Sequence, residues 1–467
     1  MPPLVALALC IIFVIFLLRL TVRRAEGLSS GLWIPTLWML YSGSRPVALW
    51  FPAAMPGGGD ITAGSPLDQC VLGMLILLPL IILVKRQISW SNVLKGNTWL
   101  FVLFLYMGIS ALWSDYTMVS FKRWVRVVGA VFPAVLVMSE IEPWRSLETI
   151  IRRTAYVLIP FSIVLIKYFP ALGIEYGRWS GSRQPLGVCM QKNGLGLLCT
   201  VVAFFLIWDL LRKRRSKPLT YNKSQTRADI LILMMTFYLL IGADTDVYSA
   251  TAIGVLVIGI CAMFALSKLR ASPEYITPFV VVVAIVGVIA LISAETILGE
   301  SLMGSWANFL GREETLTGRV DIWAEAFKIA PRWSVLGTGF GAFWGLPYTI
   351  SAIGQTTGHN GYLEVYIELG FVGMFLISVF LLKLWGSLSI EVKHNFDWGL
   401  LGICLLLMSI AYNYAESNFL NVNSLLWIVL LYMTFVLSRA AKAKPTIRAD
   451  SLRCGEECGG DKKGWKR

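Results

Sequence analysis

Apolar runs long enough to cross a bilayer follow one another along most of this chain, separated by short polar connections. Candidate spans cover residues 3–19, 32–51, 67–84, 98–113, 124–138, 154–170, 194–211, 229–243, 248–266, 276–294, 362–383, 398–415 and 419–437. The runs are continuous, and about 20 apolar residues suffice for a helix to span a membrane. Strands of a barrel would instead alternate polar and apolar positions. The predicted fold class is therefore all-α, a polytopic transmembrane helix bundle of about 12–13 spans. The pattern is interrupted by one long polar interval, residues 295–361. This divides the chain into an N-terminal bundle (1–294), a loop (295–361), C-terminal transmembrane helices (362–438) and a basic tail (439–467) that is expected to be disordered. Within the loop, Val320, Trp323, Ala324 and Phe327 recur at helical spacing and Pro331 stops the run. That reads as a short amphipathic helix on the membrane surface.

Composition agrees with this pattern. Of the 467 residues, 56% are hydrophobic and only 15% charged, too little charge for the surface of a soluble protein of this length. The first run has no basic leader and no small-residue cleavage site and is followed by Arg19, Arg23 and Arg24, so it reads as a retained anchor. The net charge of +13 is explained by topology rather than by nucleic acid. Lys and Arg crowd every second connection, most densely in Arg212–Lys217, and the positive-inside rule puts those connections in the cytoplasm. The loop 295–361 and the segment 171–193 are then extracytoplasmic, and the N-terminus lies outside. One cluster dissents: Lys122, Arg123 and Arg126 fall on the outer side. Either a span is miscounted or these cations are kept there for a purpose. The eight cysteines form no framework; most lie in apolar runs, and Cys454 with Cys458 has no histidine partner for a metal.

The candidate chemistry gathers in the outer segments. His359 is one of two histidines and stands at the mouth of the run that starts near Tyr362. An imidazole there suits a general base acting on a hydroxyl, although an interfacial histidine that only braces the loop fits equally. His394, in a cytoplasmic connection, reads as structural. Asn360, Glu364 and Glu368 share one helix face, and Glu368 lies deep enough to need a partner; a buried ion pair is the plainer account of it. Arg319 opens the amphipathic helix behind Thr317, its candidate cap. A cation is poorly placed there for helix stability but well placed for a bound phosphate. The loop Gly337–Gly345 follows no strand and reads as a flexible hinge rather than a nucleotide loop. Arg178, Arg183, Lys192 and Asn193 in the 171–193 segment, with Arg126, complete an outer cationic site. Its matching ligand is an anionic headgroup on a long lipid tail, a polyprenyl diphosphate. Converging cations make a divalent ion unnecessary, no carboxylate or histidine cluster would hold one, and no cofactor is expected. Arg45 interrupts the second run and is expected to line a cavity.

LTGRVDIWAEAF, GTGFGAFW and GHNGYLEVYIELGFVG resemble the signature block of the O-antigen ligase and Wzy-type polymerase superfamily. LWIPTLWMLYSGSRPVALW, LWSDYTMVSFKRWVRVVG, AYVLIPFSIVLIKYFPALG and QKNGLGLLC narrow the resemblance to ExoQ-type exopolysaccharide production proteins. The resemblance covers about Leu32 to Leu437. It implies inverting, metal-independent glycosyl transfer outside the cytoplasmic membrane, from an oligosaccharide on undecaprenyl diphosphate. The acceptor it implies is either another lipid-linked repeat (a polymerase) or a lipid A core (a ligase). His359 would assist the acceptor, while Arg319 with Arg183 or Arg178 would hold the diphosphate. Expected partners are the lipid-linked donor, the growing polysaccharide, membrane lipids and a regulator of chain length, with no nucleic acid. A transporter of the lipid-linked glycan is the rival from another class. It is disfavoured by the scarcity of ionisable residues deep in the runs.

Overall fold

Helices make up nearly all the regular structure of the computed structural model, which describes residues 1–24, 27–51, 65–177, 181–215, 223–298, 319–329, 334–353 and 357–439. Arg178, Thr317, most of the 295–318 stretch, Cys454, Cys458 and the tail beyond Arg439 lie outside the described residues. In chain order come α1 (Pro3–Arg24), α2 (Trp33–Ser42), α3 (Pro66–Lys85), α4 (Trp90–Gly96), α5 (Thr98–Ser110), α6 (Thr117–Gly129), α7 (Val131–Met138), α8 (Pro143–Tyr168) and α9 (Pro170–Gly173). After the hairpin described below follow α10 (Lys192–Arg215), α11 (Lys223–Leu240), α12 (Ala250–Ser267), α13 (Ile276–Leu298), α14 (Arg319–Ile329), α15 (Pro347–Ile353), α16 (Gly361–His394), α17 (Phe396–Ala415) and α18 (Leu425–Arg439). The hairpin pairs β1 (Ile174–Tyr176) with β2 (Arg183–Pro185), Ile174 opposite Pro185, and is the one sheet among the described residues.

The protein is thus an all-α polytopic membrane protein, but its predicted spans are not uniform. Among the described residues, seven helices (α1, α3, α8, α10, α12, α16 and α17) are long and apolar enough to cross a membrane, and eight if the pair α4–α5, bent by 93°, counts as one. Two of the other runs fold as shorter or broken helices. The run 32–51 gives only α2, which ends at Gly43. A Cβ on Gly43 would lie 2.8 Å from Leu158, and Pro46 follows two residues after Ser44. The run 124–138 is divided at Ala130 between α6 and α7. The hydrophobic pattern predicts the crossing, not its straightness.

Side-chain contacts sort the connections to two ends. At one, Arg86 bridges Glu140 (2.8 Å), Arg270 pairs with Asp397, and Arg439 donates to the Met138 carbonyl (2.7 Å). The other end collects the Ser42–Pro46 bend, the hairpin, the segment around His359 and the stretch 416–424. Arg123 belongs there too, because its guanidinium donates to the Gly341 carbonyl. Arg123, with Arg126 beside it, therefore shares an end with Gly341 of the long polar loop.

The strongest tie at the cationic end is Arg152. It is 2% exposed and meets Glu148 (2.9 Å), Asp229 (3.1 Å) and Asp209. Arg212 reaches Glu148 and Asp209, each at 2.7 Å, and Lys213 reaches Asp209 (2.6 Å) and Asp229 (3.0 Å). Three cations face three carboxylates, and the network pins α8, α10 and α11 together. Such a set is neutral as a whole but intolerant of losing one member.

Helix α16 is interrupted at Gly370 (φ 63°, ψ −163°). The stretch Ser334–Gly339 fills the break. Thr338 and Gly339 N–H donate to the carbonyls of Ile367 (2.9 Å) and Glu368 (3.0 Å), while Phe371 and Val372 N–H donate to those of Ser334 (2.9 Å) and Val335 (3.2 Å). Tyr106 on α5 donates to the Leu336 and Leu369 carbonyls at 2.8 and 3.1 Å. Three carbonyls and two N–H groups beside the break thereby find protein partners, as irregular backbone within a spanning helix requires. The expected flexible hinge is instead a fixed splice. A Cβ on Gly337 (φ +78°) would sit 2.3 Å from the Glu368 backbone, and one on Gly370 would sit 2.2 Å from the Val335 oxygen. These glycines allow close approach of two backbones, a use the sequence does not distinguish from mobility.

Two outcomes are expected. Arg152→Met leaves three buried carboxylates short of a cation and costs about 3–5 kcal/mol; heating in detergent followed by size-exclusion chromatography should show early loss of the monodisperse protein. Gly337→Ala should destabilise by more than the ~1–2 kcal/mol of a left-handed backbone alone, and a melting profile equal to wild type would show that the splice is loose.

Candidate active site

Glu416 is the residue on which the outer end converges. It follows α17 as its C-cap, in extended conformation, with its side chain only 6% exposed. Arg319 Nη2 donates to its Oε1 at 2.7 Å. His359 Nδ1 lies 3.0 Å from its Oε2. Asn193 Nδ2 donates to Oε1 as well, and Ser249 Oγ donates to Asn193 Oδ1 at 3.0 Å. The structure therefore joins His359, Arg319 and Asn193, three of the residues expected from the sequence, through a fourth that the sequence reading passed over.

The helices explain why a carboxylate is tolerated there. Asn193 stands in the first turn of α10, Ser249 caps α12, Arg319 opens α14, and Asn360 caps α16. The first turns of α10 and α14 thus supply two of its partners, and His359 supplies a third from just before the α16 cap. A helix N-terminus carries the equivalent of about half a positive charge, which favours an acid held beside it. The Arg319 fork is not open as expected: its second terminal nitrogen donates to the Ala415 carbonyl, so both are engaged within the protein.

His359 is held by its backbone as well as its ring. Its φ is +48°, a region rarely used by residues with a Cβ and often found at functional positions. The preceding turn is braced by Glu364, whose Oε1 accepts from Thr357 Oγ1 (2.7 Å) and Gly358 N–H (3.0 Å). Asn360 then caps α16, its Oδ1 accepting from Tyr362 (3.0 Å) and Leu363 (3.1 Å) N–H. That oxygen, expected to serve a substrate, is spent on the helix. With Nδ1 on the carboxylate, the tautomer that carries a proton there leaves Nε2 as a lone-pair acceptor. The ring keeps 19% exposure, enough to meet a hydroxyl group.

The remaining expected residues divide between two places. Arg126 and Glu368 line a cavity of about 340 Å³ between α6 and α16, with Arg123, Glu364, Thr357 and Ser417. Glu368 lies near Arg123 and the Gly341 backbone, but among the described residues it forms no ion pair within 4 Å, so the expected buried ion pair is not found. Among the described residues Arg126 has no carboxylate partner within 4 Å. Lys192 begins α10 beside Asn193 and is half-buried. Arg183 is elsewhere: its backbone N–H donates to Asp246 (2.7 Å) and its guanidinium to the Asp244 carbonyl (3.5 Å), on the α11–α12 turn. Asp244 itself is held below the usual carboxylate range, first by the Tyr238 hydroxyl and then by Lys167 and Arg183. Arg45 does not open onto a ligand either. It is 7% exposed and donates to the carbonyls of Leu172 (2.6 Å), Gly187 (2.8 Å) and Cys189 (3.0 Å), clamping the segment before α10 onto the end of α2.

Glu416 left only a faint trace in the sequence. It lies in AESNFLN, a carboxylate and amides between the last two apolar runs, and nothing local announces a partner 57 or 97 residues away.

Comparison with known proteins bears on this site directly. Residues 231–378 match the family model described as O-antigen ligase, a stretch that contains Arg319 and His359 but stops short of Glu416. Exopolysaccharide production protein ExoQ of Rhizobium meliloti (strain 1021) is 24% identical over 316 residues, which is 65% of this chain and 67% of that protein. Over residues 231–378 the chain is similar to the O-antigen ligase family, and over about two thirds of its length it is similar to ExoQ.

Proposed function

We propose that this membrane polysaccharide polymerase or ligase is a polymerase that joins lipid-linked oligosaccharide repeats into exopolysaccharide at the outer face of the bacterial cytoplasmic membrane. The donor is an oligosaccharide on undecaprenyl diphosphate. The single observation that carries the chemistry is the His359–Glu416–Arg319 arrangement at 3.0 and 2.7 Å, beside the starts of α14 and α16.

The reaction needs an acceptor oxygen made nucleophilic and a diphosphate allowed to leave. Glu416 accepts from His359 Nδ1 and aims Nε2 at the acceptor hydroxyl, the orienting role a carboxylate plays toward a catalytic histidine elsewhere. The hydroxyl proton passes to Nε2 as its oxygen bonds to the anomeric carbon from the face opposite the diphosphate. The carbon–oxygen bond to the diphosphate breaks with its electron pair, and the configuration inverts. Negative charge grows on the leaving group, and the converging helix ends, with Lys192 and Arg126 nearby, are fixed in place to meet it. In this proposal they supply what a divalent ion would, so the transfer is metal-independent. Arg319 acts through Glu416, holding it in place, rather than as an open phosphate fork. The likeness to ExoQ favours polymer synthesis; the family description favours the second reading, transfer to a lipid A core.

Turnover of undecaprenyl-diphosphate oligosaccharide by the purified protein tests the proposal. His359→Ala should lower kcat by about 10²–10⁴, the usual worth of a general base, and Arg319→Ala by an amount equivalent to about 2–4 kcal/mol. Glu416→Gln should fall with them while KM moves little. Full activity in His359→Ala would remove the base. In cells, loss of long exopolysaccharide with intact lipopolysaccharide supports the polymerase, and the converse supports the ligase.

A further inference from the structure

A second cavity, of about 220 Å³, is lined by Glu416 and adjoins the one that holds Arg126. The two share Ser417, Asn421 and Asn423 in the stretch between α17 and α18. Its remaining polar lining comes from Ser42 and Ser44 at the end of α2, Gln191 before α10, Tyr412, Ser424 and Glu416 itself. No lysine or arginine lines it, and its one carboxylate is already paired with Arg319. The Ser42 hydroxyl is buried, with the residue 3% exposed, and has no hydrogen-bond partner among the described residues. A buried hydroxyl left without a partner costs free energy unless something supplies one. The wall is rigid, because Arg45 clamps the carbonyls of Leu172, Gly187 and Cys189 against the α2 bend.

Hydroxyls and amides without free charge, beside a histidine–carboxylate pair, match an uncharged polyol. We propose that this cavity is a subsite for one uncharged sugar ring of the glycan, the acceptor end, separate from the region that receives the diphosphate. The assignment rests on the glycosyl-transfer reading above and extends it. Donor and acceptor then occupy the two adjoining cavities that share Ser417, Asn421 and Asn423. The sugar meets Ser42, Gln191 and the asparagine amides, and its hydroxyl lies within reach of His359. A lipid diphosphate gains nothing from this lining, since no cation faces it.

Binding rather than turnover separates this proposal from the catalytic one. The probes are the lipid-free oligosaccharide repeat released from the host's own exopolysaccharide, and undecaprenyl diphosphate without sugar. Both are titrated onto the full-length protein in detergent. Gln191→Trp, which fills the exposed mouth of the cavity, should weaken oligosaccharide binding at least tenfold and leave undecaprenyl diphosphate binding within twofold. Ser44→Ala should weaken the oligosaccharide more mildly, without a steric block. His359→Ala should lose turnover while still binding both probes, so a failed base and a failed subsite read differently. Unchanged oligosaccharide binding in Gln191→Trp would overturn the subsite, and so would equal loss of both probes in a protein that remains monodisperse.

Discussion

A buried carboxylate shared among a guanidinium, an imidazole and a side-chain amide is the constraint around which the outer end is built. Glu416 could not remain there on the strength of any single partner, because an isolated charge removed from water carries a desolvation cost of several kcal/mol. It is kept by Arg319, His359 and Asn193, which reach it from different parts of the chain. The same field that holds the acid also selects what can be brought near it. An anionic group finds aligned amides, and a hydroxyl finds an oriented base. Packing and function are therefore one requirement at this end: bending α10 or α16 would disturb the charge balance before it disturbed the core.

The opposite end solves a similar problem differently. There Arg152, Arg212 and Lys213 neutralise Glu148, Asp209 and Asp229 completely, with no ring left in reach to accept a proton. One end is closed and structural, the other incomplete by design of its geometry, with Nε2 of His359 left facing outward. That contrast is what makes the His359 cluster stand out among the many ion pairs of the molecule.

Much of the fold was legible because lipid imposes a simple rule: continuous apolar runs become helices, and basic connections gather at one end. His359 and Arg319 were legible for a related reason, being polar residues in the one interval that does not obey the rule. What was not legible depends on contacts across the bundle. Glu416 looks like an ordinary loop acid until α17 is packed against α10 and α14. Arg45 reads as a cavity residue until three carbonyls from a distant segment are seen to occupy it. Gly337 and Gly370 read as flexibility because local sequence does not say that another backbone lies 2.2–2.3 Å from where their Cβ atoms would be.

The splice at Gly370 has a consequence for how the protein meets its substrate. Residues 334–339 are bonded to both halves of α16 and to Tyr106 of α5, so the half-helix that begins just after His359 is fastened to the transmembrane scaffold. The imidazole is thereby fixed relative to the helices α5 and α16. A substrate whose tail is dissolved in the bilayer has its own reactive bond at a constant height. Matching the two turns a search through three dimensions into a lateral one within the leaflet.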